Sequence, residues 1–119
     1  MEGRTMRTVT LGVSSIEETQ RQMAAAFRGE MVGEFISFAS AELLWKVLTA
    51  KRWDILQAMT AQGEMTIREI ARRVDRDVKA VHGDVQALVA AGVLDRADSG
   101  RVIFSYDAVH VDFTLRTVA

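Results

Sequence analysis

The sequence predicts an α+β fold, a winged helix-turn-helix with an N-terminal strand-helix-strand extension and a C-terminal strand. Three observations predict it. The apolar-striped segments "IREIARRV" and "VKAVHGDVQALVAA" are separated only by Asp75-Arg76-Asp77, the spacing of two helices joined by a tight turn. A glycine stop at Gly92 is followed by "VLDRA", the turn "DSG" and "RVIFS", which together read as a β-hairpin. At both ends of the chain, short segments alternate apolar and polar residues with the period of two that marks a half-buried strand.

Each element has its own local justification. In "TVTLGVSS", Val9, Leu11 and Val13 alternate with Thr8, Thr10 and Gly12, so one face of a strand is buried. Ser15 with Glu18 forms a capping box that opens a helix whose stripe is Ile16, Met23 and Phe27, with Gly29 as its stop. Glu34 to Phe38 is aromatic and β-branched and reads as a second strand. Ser40 caps "AELLWKVL". Thr49 caps "AKRWDILQAMTAQ", whose stripe is Trp53, Leu56 and Met59 and whose end is Gly63. Thr66 and Glu69 form another capping box at the head of "IREIARRV", where Ile67, Ile70, Ala71 and Val74 are apolar. Ala71 is small where two helices must cross closely. Asp75 takes the turn position usually held by Gly, and Asp is among the few residues that tolerate left-handed geometry. Val78, Val81, Val85, Leu88 and Val89 pin the following helix to the core. Gly100 supplies the hairpin tip. In the tail, Val109, Val111, Phe113 and Leu115 alternate with His110, Asp112, Thr114 and Arg116 as a last strand. The expected division is residues 1–39, a layer serving dimerisation or partner binding, and 40–119, the winged helix with its final strand.

Composition narrows the function classes. A chain of 119 residues with 49% hydrophobic residues supports one modest core. It has no apolar run of about 18 residues, so no membrane span is expected, and "MEGRTMRTVT" lacks the apolar centre of a signal peptide. There is no cysteine, which fits a cytoplasmic protein without disulfide or thiolate chemistry. His82 and His110 are the only histidines and stand in no zinc-binding pattern. "RGEMVGEF" lacks the Gly-Lys-Ser/Thr of a phosphate loop, and Asp75 and Asp77 lack the later ligands of a calcium loop. Ser14 and Ser15 have no adjacent base and are explained as helix caps. The expectation is therefore a protein that is not an enzyme and needs no cofactor or metal.

Charge is more telling in its distribution than in its sum, which is −1. Arg68, Arg72, Arg73, Arg76 and Lys79 fall within twelve residues. A solvated helix face explains such a run as well as a nucleic-acid contact does. In a helix-turn-helix the second helix enters the major groove of double-stranded DNA. On a helical wheel of residues 78–91, Arg76, Lys79, Ala80, Gly83 and Ala87 lie opposite the apolar stripe. Gln86 lies at the flank and His82 nearer the core edge. That exposed face is small at its centre. Lys79 and Gln86 are the candidate base readers; Arg68, Arg72, Arg73 and Arg76 are candidate phosphate contacts; Arg96 and Arg101 flank the wing tip. Gly83 is the anomaly, since glycine within a helix costs about 1 kcal/mol relative to alanine.

The segments "LTAKRWDILQAM", "TIREIARRVDRDVKAVHGDVQALVAAGVL" and "GRVIFSYDAVHVDF" together resemble a family of small prokaryotic winged-helix proteins. That family is described as predicted transcriptional regulators, MarR-like in the DNA-binding part, and is labelled after a haloarchaeal plasmid protein. The middle segment also resembles the helix-turn-helix of DeoR-type repressors. The resemblance is strong over residues 40–113 and looser before them. It implies a DNA-binding regulator. Genes of the family often neighbour a small toxin gene, so it also implies an antitoxin that represses its own operon. Relatives tend to carry a basic residue after the helix histidine, where this chain has Gly83. The apolar N-terminal residues Met23, Phe27, Phe35, Ile36 and Phe38 suit a homodimer contact or an extension of the core. Two alternatives stay open: a protein-binding module that sequesters a toxin or other partner, and a regulator holding a small ligand near Trp45 and Trp53.

Overall fold

The computed structural model describes residues 7–13 and 34–112. The elements among them are strands β1 (Thr8–Val13) and β2 (Glu34–Phe38), and helices α1 (Ala41–Val47), α2 (Ala50–Met59), α3 (Ile67–Val74) and α4 (Val78–Ala90). Strands β3 (Asp95–Arg96), β4 (Val102–Ile103) and β5 (Ala108–Asp112) follow. The fold is α+β, with a helix–turn–helix and hairpin in winged-helix-like order. The helix expected from Ser15 to Gly29, and the strand residues Phe113 and Leu115, lie outside the described residues.

The helix starts follow the side-chain oxygens that the sequence places there. Ser40 Oγ accepts from the Leu43 N–H at 3.2 Å, and Thr49 Oγ1 accepts from the Arg52 N–H at 3.2 Å. Thr66 Oγ1 accepts from the Glu69 N–H at 3.1 Å. At the head of α4, Asp77 Oδ2 accepts from the N–H groups of Lys79 and Ala80 at 3.0 and 3.3 Å. Each cap satisfies donors that a helix start leaves without partners, and removing one costs about 1 kcal/mol. The capping box at Thr66 is one-sided, because the Glu69 carboxylate is bound by Arg72 and Arg73. Helix α2 stops at Met59, earlier than the glycine predicts, since Ala61 at φ 61° already breaks the helical path before Gly63 at φ 74°. Asp75 takes the left-handed conformation expected of it, at φ 55° and ψ 53°.

One core unites these elements. Leu44 and Leu48 meet Ile55, Leu56 and Met59 of α2, Ile70 and Ala71 of α3, and Val81, Val85 and Leu88 of α4. Val93, Leu94, Val102 and Phe104 close it from the hairpin side. The wing pairs Asp95 with Ile103 and Arg96 with Val102, and Met65 joins as a third strand position, exchanging two 2.8 Å hydrogen bonds with Val102.

Val9 and Leu11, both fully buried, belong to the same core. They reach it because β1 is the centre of a parallel sheet ordered β2-β1-β5. Leu11 stands opposite Ile36 on one side and Val111 on the other, so the alternating apolar residues of all three strands share the inner face. Parallel neighbours need long crossovers, and the segment 39–107, which carries all four described helices and the hairpin, is the one between β2 and β5. Arg7 fastens the start of the sheet: it donates to both Glu34 carboxylate oxygens at 3.0 and 2.6 Å and to the Ser105 carbonyl at 3.2 Å. Its guanidinium carbon also stands 4.9 Å from the centre of the Tyr106 ring. Among the described residues, no helix is long and apolar enough to cross a membrane.

Candidate nucleic-acid interface

Helix α4 exposes Lys79, Ala80, His82, Gly83 and Gln86, while Val81, Val85 and Leu88 are completely buried. The stripe read from the sequence thus separates the two sides of the helix, with two differences. Val78 has the right angle for the stripe but is 42% exposed. His82 lies on the open face rather than at the core edge. Its Nε2 is 3.3 Å from Gln86 Nε2, one helical turn along the same surface. His82 therefore joins Lys79 and Gln86 as a polar group on this face.

Gly83 sits in open space. A Cβ built there would meet nothing within 4 Å, and its backbone is not among the positive-φ positions. No packing contact among the described residues requires glycine at this position.

The arginines divide into held and open groups. Arg76 was expected to face outward toward phosphate. Instead its Nη2 donates to Asp84 Oδ2 at 2.8 Å, and its side chain is 19% exposed. The same carboxylate accepts from Arg52 Nε through Oδ1 at 3.0 Å, and Arg52 Nη1 also donates to the carbonyls of Lys46 and Val47. This triad ties the α3–α4 turn, the middle of α4 and the α1–α2 junction to one another. Burial alone would push the Asp84 carboxyl up, but hydrogen bonds and charge from Arg76 and Arg52 outweigh it and hold the group below the ordinary carboxylate range. Asp84 and Arg52 did not figure among the candidate residues. The available signal was the position of Asp84, three residues after Val81 and four before Leu88, since a carboxylate beside an apolar stripe calls for a cationic partner.

On α3, Arg73 donates to Glu69 at 3.1 Å and to Gln62 at 2.8 Å, and Arg72 donates to the same Glu69 oxygen at 2.5 Å. The Arg73 hydrogen bond, joined by the Arg72 charge, holds the Glu69 carboxyl low. Arg72 nevertheless keeps 70% of its side chain in solvent. Arg68, Lys79 and Arg101 are exposed and make no ion pair among the described residues. In the wing, Arg96 Nη1 donates across the tip to the Gly100 carbonyl at 3.2 Å. Ser99 Oγ donates to Glu64 at 2.8 Å, which fastens the wing tip to the strand position just ahead of α3. Arg101, beyond that tip, and Arg68, in the first turn of α3, thereby flank one junction.

The site therefore combines a helix face of small residues and a few polar groups with exposed cations on α3 and the hairpin and with others already held by carboxylates. No curated protein and no solved structure matches the chain. A family model does match residues 47–111, from the end of α1 through the helix–turn–helix and wing to β5, and on that coverage of more than half its length the chain belongs to the HVO_A0114 family.

Proposed function

We propose that this protein is a sequence-specific, DNA-binding transcriptional regulator that acts in the cytoplasm as a homodimer and represses its own gene. The observation that carries this reading is the open face of α4: Lys79, Gln86 and His82 surround Ala80 and Gly83, and among the described residues nothing lies within 4 Å of a Cβ at Gly83. A helix with so little side-chain bulk can approach base edges closely in a major groove. Arg68, Arg72 and Arg101 border it as phosphate contacts, which position the helix without specifying sequence. The resemblance of the three segments to a family that is MarR-like in its DNA-binding part, and of the middle segment to DeoR-type repressors, favours the same reading. In the terms of that resemblance the protein is the antitoxin of a pair, and its toxin is encoded beside it.

The test is binding to the duplex upstream of its own gene against a random duplex of equal length, across a salt series. Preference for its own promoter, with affinity falling steeply as salt rises, supports the reading. Equal binding to both duplexes at moderate salt overturns it. A second reading, a module that sequesters a partner protein, is favoured by the exposed Leu43 and Trp45 on α1, 45% and 46% exposed. Co-expression with the neighbouring gene product tests it, and failure to recover a complex counts against it.

A further inference from the structure

Strand β5 ends the three-stranded sheet, with β1 on one side and no further strand among the described residues on the other. An unpaired strand edge presents backbone N–H and C=O groups that template another strand. The two faces of β5 differ. Val109 and Val111 turn inward, half-buried, beside an apolar groove of about 470 Å³ lined by Trp45, Trp53 and Val111, and a smaller one continues past Trp53 to Val109. His110 and Asp112 are exposed on the opposite face.

We propose that a second copy of this chain docks on this edge, β5 against β5 and antiparallel, with the two-fold axis beside Val111. The inference rests on the homodimer of the reading above and assigns its surface. The strand's own sequence selects both occupant and register. Only shifts by two residues keep the valines of both copies on the inner, grooved side. An axis beside His110 would set His110 against itself and Asp112 against Ala108. An axis beside Val111 sets each His110 opposite Asp112 of the second copy, twice over, while Val111 meets its own counterpart above the two grooves. An imidazole N–H directly across an antiparallel pair from a carboxylate is a favourable polar pair, and a histidine set against itself is not. The edge is therefore self-complementary in backbone hydrogen bonding, apolar surface and polar side-chain pairing at one register.

The chain contains no cysteine, so introduced thiols report the register without interference. Light scattering at tens of micromolar, without DNA, should give a dimer. His110→Cys and Asp112→Cys proteins, mixed and oxidised, should form a disulfide-linked dimer in high yield, because directly opposite positions lie within disulfide reach. Each variant alone should cross-link far less. The double variant H110K/D112K places like charges along the seam at two exposed positions. It should be a monomer with unchanged far-ultraviolet circular dichroism. A monomeric unmodified protein overturns the proposal. So does a dimer that survives H110K/D112K, or one in which His110→Cys alone cross-links as well as the mixture. The readouts need no DNA: a β5-linked dimer without promoter preference defeats the regulatory reading alone, and a monomer that prefers its promoter defeats this one alone.

Discussion

Arg76 and Asp84, eight residues apart, are joined by a 2.8 Å hydrogen bond that closes the helix–turn–helix on itself, with Arg52 on the other carboxylate oxygen. Removing the carboxylate strands two guanidiniums that are each 19% exposed. Arg76 Nη1 is already buried without a hydrogen-bond partner among the described residues, so the turn has little polar compensation in reserve. Asp84→Ala should therefore destabilise the fold by about 2 kcal/mol, below the 3–5 kcal/mol for a fully buried pair because solvent still reaches all three groups. Arg76→Ala should cost less, since Asp84 keeps Arg52. Urea denaturation of both variants checks the order.

The same triad sets an acid limit. The folded Asp84 carboxyl lies below its unfolded value of about 3.9. Its contribution is fully present above that value and is lost as the pH falls from there through the lower folded value. Between pH 5 and pH 3, Asp84→Asn should lose less stability than the unmodified protein. Glu34 and Glu69 are also held low by arginine partners, but both are solvent-exposed pairs and contribute little to this slope. An equal acid slope in the two proteins would contradict the assignment.

Gly12 is the place where the central strand admits no side chain. A Cβ there would stand 2.8 Å from the Asp112 carbonyl oxygen and 2.9 Å from Cζ of the Phe35 ring. The first obstacle is backbone of β5 and cannot swing aside. Gly12→Ala should lower stability by about 1–3 kcal/mol, the range for overpacking, measurable as a drop in Tm.

What the sequence made legible was local. Ser40, Thr49 and Thr66 cap helices within three residues of themselves, and Asp75 turns the chain with its own backbone, so short windows suffice. The alternation at Val9 and Leu11 told which face of β1 is buried, but not that its neighbours would be β2 and β5 in parallel, because that pairing spans most of the chain. The site was legible to the same degree. A helical wheel found the open face of α4, yet Arg76 was misplaced because its partner Asp84 is itself fixed by Arg52, 32 residues earlier. Val78 shows the wheel's other limit: angle predicts which side a residue faces, not whether anything covers that side. His82 shows that a residue at the edge of the stripe can fall on the open face.

The division between held and open arginines gives the DNA reading a graded test. Arg68 and Arg101 are exposed without ion pairs among the described residues, so each is available for phosphate. Arg68→Ala and Arg101→Ala should each weaken binding to all duplexes alike. Each should also reduce the slope of log affinity against log salt by about 1. Arg76→Ala should leave that slope unchanged, since its charge is spent on Asp84. Fluorescence anisotropy across a salt series distinguishes the two behaviours, and a slope that falls for Arg76→Ala but not for Arg68→Ala would reverse the assignment.

Gly83 separates stability from recognition. Open space surrounds its Cβ position, so Gly83→Ala should gain about 0.5–1 kcal/mol of helix stability without any clash inside the protein. If the glycine serves close approach to base edges, the same substitution should weaken promoter binding while raising Tm. Gly83→Arg should abolish promoter preference, because a long side chain would hold Lys79 and Gln86 away from the groove floor. The opposite result is equally readable. An arginine that strengthens binding to promoter and random duplex alike would show that Gly83 marks a missing phosphate contact, and close approach would no longer explain a glycine in the middle of α4.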